Sequence, residues 1–208
     1  MENILVAGAN GTTGKIVVDL LNESQYFTPI AMVRKEEQQK QFTDKNIKTI
    51  LGDLEEDLSH TVKGVDKVIF AAGSGGKNVV EVDQEGAKRL IDVSKIANIK
   101  KFVMLSSMGV DNPEAVNELK DYLQAKQKAD IHLKNSGLNY AIVRPGSLNN
   151  NVGTGRIELK EKLNKRGEIS RADVGQTLVK VLHDDVANSS LFEIIEGDVL
   201  IGDAIDKL

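Results

Sequence analysis

Three glycines at positions 8, 11 and 14 fall in the run Gly8-Ala9-Asn10-Gly11-Thr12-Thr13-Gly14, and their spacing suits a phosphate cradle. Gly8 permits a tight turn out of a strand, Gly11 lets the backbone approach a pyrophosphate, and Gly14 allows a helix to pack closely on a sheet. The N–H groups that open a helix then meet negative charge, with the helix dipole behind them. The side chains of Asn10, Thr12 and Thr13 offer further hydrogen bonds. About 20 residues past the loop, a dinucleotide site that prefers NAD places an acid for the ribose 2′-hydroxyl. Here Arg34-Lys35 stands at that distance. A planar guanidinium matches a 2′-phosphate instead, so NADP(H) is favoured over NAD(H).

The elements that must carry this loop are legible around it. Ile4-Leu5-Val6-Ala7 reads as a strand buried on both faces, and Ile16, Val17, Leu20 and Leu21 repeat at helical spacing from a start near Thr12 or Thr13. Strands are expected over Ile30–Val33 (with Pro29 at its start), Ile47–Leu51, Val68–Ala72, Phe102–Leu105 and Tyr140–Val143. Helices are expected over Lys35–Lys45, around Ala87, Leu90, Ile91 and Ser94, and from Ala115 to Asn135. Strands alternating with helices make βαβ units, and right-handed crossovers make them a doubly wound parallel sheet: an α/β Rossmann fold in three layers, αβα.

Past Arg144-Pro145-Gly146 the pattern loosens into Asn149-Asn150-Asn151 and Gly153-Thr154-Gly155, which is loop chemistry. Arg156–Leu163 is expected as a strand, Ala172–Leu182 as a helix and Leu191–Ile195 as a late strand. No repeat or long linker divides the chain. The expectation is one dinucleotide-binding domain over 1–208, with 146–208 as a small extension on the substrate side. Open α/β sheets bind ligands at the carboxyl ends of their strands. That puts Gly52-Asp53-Leu54 at the adenine edge, and Ala71-Ala72-Gly73-Ser74-Gly75-Gly76 along the cofactor ribose.

Composition removes several classes of function. The 208 residues carry a formal net charge of -4 and scattered basic residues, so no nucleic-acid stripe exists. No cysteine is present, which excludes disulfides, thiolate nucleophiles and zinc-thiolate sites. No apolar run approaches a membrane span, and Met1-Glu2-Asn3 leads straight into a strand; a cytoplasmic protein is the expectation. His60, His132 and His183 lie far apart without metal-ligand spacing, and Glu55-Glu56-Asp57 reads as a solvated face, so no metal site is expected. Asp173 is expected at a helix N-terminus, facing unpaired N–H groups.

The chain resembles the short-chain dehydrogenase/reductase superfamily, most closely its atypical branch, which includes NmrA-like, biliverdin reductase B-like and small bacterial epimerase/dehydratase-like proteins. The resemblance runs through Gly8–Gly14, Gly52-Asp53-Leu54, Ala71-Ala72-Gly73 and Leu105-Ser106-Ser107. It continues through Tyr122–Lys126, Val143-Arg144-Pro145-Gly146 and Ser170-Arg171-Ala172-Asp173-Val174. It implies a sheet of about seven parallel strands with NADP along the carboxyl edge, and Pro145, Gly146, Ser147 and Leu148 beside the nicotinamide.

Tyr122 and Lys126, four apart in a helical segment, share a face. In the superfamily such a pair does the chemistry. The lysine ammonium holds the nicotinamide ribose and favours the phenolate, and the tyrosine passes a proton to a substrate carbonyl as hydride arrives. A serine hydroxyl supports the developing oxyanion; Ser107 is the best-placed candidate, with Ser106 behind it, also near the cofactor. Met108-Gly109 departs from the pattern of extended members, and the short stretch after Ile201 gives a nucleotide-sugar few walls, so epimerase chemistry is not expected. Two readings stay open. One is an NADP(H)-dependent reductase of a small carbonyl or related acceptor; the other is an NADP(H)-binding redox sensor that turns over nothing. The expected partner is a small-molecule substrate, not nucleic acid or membrane, and the expected state is a monomer or homodimer.

Overall fold

A computed structural model describes residues 1–208. Its core is a sheet of nine strands: β1 (Glu2–Ala7), β2 (Phe27–Val33), β3 (Lys48–Leu51), β4 (Lys67–Phe70), β5 (Lys101–Leu105), β6 (Tyr140–Pro145), β8 (Arg156–Lys160), β10 (Ser190–Glu196) and β11 (Val199–Leu200). Two short strands, β7 (Ser147–Asn149) and β9 (Glu168–Ser170), pair separately as a parallel ribbon. The helices are α1 (Thr12–Asn22), α2 (Lys40–Thr43), α3 (Ala87–Ile96), α4 (Lys120–Asn135), α5 (Arg171–Lys180) and α6 (Ile201–Ile205).

The sheet order is β11-β8-β10-β6-β5-β4-β1-β2-β3. Strands β3 to β10 in that order are all parallel, β8 alone runs against them, and β11, antiparallel to β8, closes the far edge in the common direction. The run from β3 through β6 is the doubly wound order, with its topological switch between β1 and β4. The expected Rossmann αβα architecture is therefore what the chain adopts. Residues past Gly146 do more than extend one side, because β10 completes the parallel sheet.

Strand alternation divides the core. Ile4 and Val6 of β1 face a cluster of 29 buried residues with α1, α2, α5 and α6. Leu5 and Ala7 face a cluster of 19 with α3 and α4. Each fully buried Leu, Ile or Val side chain contributes roughly 1.5–3 kcal/mol by leaving water. The helix α5 is closed at its start by a buried pair. The Asp173 N–H donates to Ser170 Oγ at 3.0 Å, and the Asp173 carboxylate accepts the Thr154 and Gly155 N–H groups at 3.0 and 2.7 Å. Ser170 is thus the N-cap, and Asp173, in the first turn of α5, clamps the preceding loop to the helix start.

Several expectations shift. Pro29 lies inside β2 rather than at its start, opposite Ile4 of β1. β3 begins pairing only at Ile30, so the missing N–H breaks no ladder on that side. The helix expected over Lys35–Lys45 is broken into a 3₁₀ turn, Glu36–Gln38, and the short α2. The helix expected from Ala115 begins at Lys120, after 3₁₀ turns at Pro113–Ala115 and Asn117–Leu119. Residues Val79–Gly86, unassigned from sequence, form a π-helix that runs directly into α3.

Candidate functional site

A cleft of about 1090 Å³ opens at the switch point, over the carboxyl ends of β1 and β4. Gly8, Gly11, Thr12 and Thr13 line one wall, and Ala71, Ala72 and Gly73 the floor. Gly8 has φ +84°, and an added Cβ there would lie 2.5 Å from the Ala72 backbone. A Cβ on Gly14 would overlap the Gly8 carbonyl. Both positions admit only glycine, for the reasons of turn and close approach that the spacing demands. α1 starts without a side-chain cap, which leaves its first N–H groups free for an anion.

Asn10 does not line the cleft. Its Oδ1 accepts from Gln41 Nε2 at 2.7 Å, which ties the glycine loop to α2 over the end of β2. Arg34 and Lys35 follow β2 directly and are exposed. Their backbone N–H groups both donate to Gln38 Oε1, at 3.0 and 3.1 Å, so the turn is fixed while the cationic ends stay in solvent. Nearby Lys40 and Lys45 are spent on Asp44 and Asp19. Asp53 and Leu54 stand outside the cleft. Asp53 Oδ1 accepts the Glu55 N–H at 3.1 Å, and the Leu54 carbonyl accepts from Arg89 at 2.8 Å.

The opposite wall is α4. Tyr122 and Lys126 both line the cleft, with the ammonium 5.8 Å from the centre of the phenol ring. Lys126 is only 3% exposed and donates to the carbonyls of Ala72 (3.3 Å) and Leu105 (3.4 Å). The serine expectation is reversed in placement. Ser106 lines the cleft, whereas Ser107 does not and gives its proton to the Met108 carbonyl at 3.0 Å. Of the segment after β6, only Leu148 reaches the cleft. Pro145 is buried, Gly146 N–H donates to the Ile194 carbonyl and Ser147 N–H donates to the Gly167 carbonyl.

Behind the wall lie groups that the sequence reading did not single out. Asp83 of the π-helix is fully buried, with Oδ1 3.4 Å from Lys126 Nζ and Oδ2 accepting the Ser74 N–H at 3.0 Å. Asp130 Oδ2 accepts from Ser106 Oγ at 2.9 Å and from Arg144 Nε at 3.0 Å. Asp130 was within reach of inspection, because it follows Lys126 by four and Tyr122 by eight on one face of α4. Asp83 had no such signal. The buried side-chain polar atoms without a hydrogen-bond partner are Ser74 Oγ, Asp83 Oδ1 and Asp130 Oδ1. All three belong to the network behind Lys126 and Ser106. Such orphans are rare in folded proteins and cluster where a ligand or chemistry accounts for them. With the glycine cradle, they fit a bound dinucleotide.

Comparison with known proteins agrees with this geometry: residues 8–185 match the NAD(P)H-binding family. The chain belongs to that family. A Bacillus subtilis protein named as an uncharacterized sugar epimerase, YhfK, is 39% identical over 213 residues, covering 99% of each chain. A Bacillus halodurans structure, provisionally described as an NAD-dependent epimerase/dehydratase, superposes with a TM-score of 0.96 at 33% identity over 100% of both chains. Sanguinarine reductase of Eschscholzia californica is 27% identical over 250 residues, covering 97% of this chain and 91% of that one. A nicotinamide cofactor is thus the family's ligand. No helix is long and apolar enough to cross a membrane, and no group of three or more His, Asp or Glu is arranged to hold a metal ion.

Proposed function

We propose that this member of the NAD(P)H-binding family is an NADP(H)-dependent reductase of the atypical short-chain dehydrogenase/reductase type, acting on a small carbonyl or related acceptor. One observation carries the reading: Tyr122 and the buried Lys126 face the glycine loop across a single cleft. Bound NADPH supplies a hydride to the carbonyl carbon. Tyr122 gives its phenolic proton to the carbonyl oxygen, so the acceptor leaves as an alcohol and the phenolate regains its proton from solvent. The Lys126 ammonium, close to the ring, stabilises the phenolate and holds the nicotinamide ribose. Arg34, with Lys35, meets the 2′-phosphate; free guanidinium N–H groups suit a phosphate bidentately.

Reduction is in keeping with the relative named as a reductase. The relatives with epimerase names carry them as uncharacterized or provisional, and the Tyr122–Lys126 pair is what favours reduction here. The substrate side is the ribbon of β7 and β9 with Leu148 and Arg171, which line the cleft from the residues past Gly146. On this reading residues 1–208 act as one dinucleotide-binding domain. The reading asks for a small-molecule acceptor, needs neither nucleic acid nor membrane, and works in a monomer or a homodimer. A cytoplasmic setting suits a chain without cysteine that draws on NADPH.

The test is NADPH consumption with a panel of small aldehydes, ketones and quinones, by wild type and Tyr122→Phe. The expected result is turnover that falls at least about 100-fold in the variant, with NADPH affinity within about twofold. Equal turnover by the variant removes Tyr122 as the acid. NADPH binding without turnover of any acceptor leaves a protein that only binds.

A further inference from the structure

We propose that Asp83 positions Lys126, and with it the turn that starts at Gly73, for the nicotinamide half of the cofactor. The proposal rests on the reading of the cleft as a dinucleotide site. Lys126 reaches the cleft from α4 on long contacts alone: 3.3 Å to Ala72 O, 3.4 Å to Leu105 O and 3.4 Å to Asp83 Oδ1. Neither carbonyl by itself holds an ammonium firmly at such distances. Asp83 is the carboxylate within reach, and the two residues are 0% and 3% exposed. A charge so removed from water is costly unless it is paired, and here each residue is the other's counter-ion.

The second oxygen of Asp83 does a different task. It takes the Ser74 N–H at 3.0 Å, and Oδ1 sits against Gly73, where an added Cβ would come within 3.3 Å of it. One carboxylate therefore joins the lysine of the cleft wall to the glycine-rich segment of its floor. The π-helix explains how it gets there. Its wider turns carry Asp83 inward from a run, Val79-Val80-Glu81-Val82-Asp83-Gln84-Glu85-Gly86, whose spacing suits neither a strand nor an α-helix. π-turns are rare and recur at functional sites. Asp83 Oδ1 and Ser74 Oγ remain without hydrogen-bond partners. A buried charge left this incompletely satisfied is poor structural cement, and its value lies in where it holds the lysine.

The experiment is calorimetric titration of wild type, Asp83→Asn, Lys126→Met and the double variant with two probes, NADPH and adenosine 2′,5′-bisphosphate. The bisphosphate carries the adenosine half and lacks the nicotinamide ribose. Asp83→Asn keeps an oxygen for the Ser74 N–H and replaces the charged oxygen facing Lys126 with an amide NH2 that cannot pair with an ammonium. It is expected to weaken NADPH about tenfold and leave the bisphosphate within about twofold, and the double variant is expected to bind NADPH no worse than Lys126→Met. If the single variant fails to fold, the double variant, which removes both charges together, still makes the comparison with Lys126→Met. Equal losses for both probes, no loss in Asp83→Asn, or a double variant weaker than Lys126→Met would each overturn the role of Asp83 while leaving the cleft reading intact. Wild type that binds neither probe would overturn that reading and this proposal together.

Discussion

Ser106 and Asp130 share the one proton that the serine hydroxyl has to give: Oγ donates to Oδ2 at 2.9 Å, on the oxygen that also accepts from Arg144 Nε at 3.0 Å and lies 3.0 Å from Nη2 in the same ion pair. Asp130 is fully buried, and burial pushes its carboxyl above the ordinary range against the pull of Arg144. Arg144 continues outward to Asp111 at 2.8 Å, so the network runs from the cleft wall to the surface. The consequence for chemistry is directional. With its proton committed inward, Ser106 offers the cleft lone pairs, which suit a donor such as a phenol better than a developing oxyanion. Ser107, turned to the Met108 carbonyl, is no better a donor.

Ser106→Ala is accordingly expected to lower turnover about tenfold by removing an acceptor from the cleft wall, and Ser107→Ala to change it less than about twofold. Steady-state kinetics on the pair decides it. A larger loss in Ser107→Ala than in Ser106→Ala would contradict the placement.

Gly14→Ala drives a methyl group into the Gly8 carbonyl, whereas Gly202 has nothing within 4 Å of an added Cβ. The first substitution is expected to abolish measurable NADPH binding and lower the melting temperature by several degrees, for a cost of about 1–3 kcal/mol. Gly202→Ala, in α6, is expected to be neutral or to stabilise by about 0.5–1 kcal/mol. Thermal unfolding with and without NADPH reads both. Normal NADPH binding by Gly14→Ala would show that the loop is not the cradle.

Features written in short stretches of sequence were legible, and features assembled by the tertiary fold were not. Gly8 and Gly11 lie in the turn between a buried strand and a helix with Gly14 in that helix's first turn, and Tyr122 and Lys126 lie on one helical face, so spacing alone located both sides of the cleft. Ser106, Asp130 and Arg144 are separated by 24 and 14 residues, and only the parallel pairing of β5 with β6 and the packing of α4 bring them together. The π-helix escaped because its period matches no common template. The three-residue strands β7 and β9 are too short for alternation to show.

Stability should carry the signature of a buried lysine far from the cleft. Lys101 is fully buried at the start of β5, beside its register partner Lys67, and donates to the carbonyls of His183 (3.0 Å) and Val186 (2.6 Å). Burial, with the Lys67 charge adding to it, pulls its ammonium down to about 8 from the usual 10.5. Between those values the unfolded chain holds more protons than the folded one, so this group's contribution favours folding increasingly as pH rises. Wild type minus Lys101→Met unfolding free energy, followed by urea denaturation from pH 7 to about 10, is expected to rise through that window. A flat or falling difference would rule the effect out.

The central claim is that the glycine loop and Arg34 hold NADP(H). Titration of cofactor-stripped wild type and Arg34→Glu with NADPH and NADH, each read by nicotinamide fluorescence, tests it most directly. Wild type is expected to bind NADPH at micromolar affinity and NADH more weakly by at least about 30-fold, or about 2 kcal/mol. Arg34→Glu should lose that preference mainly through weaker NADPH binding. Equal affinity of wild type for both cofactors would remove Arg34 as the selector, and binding of neither would contradict the account at its root.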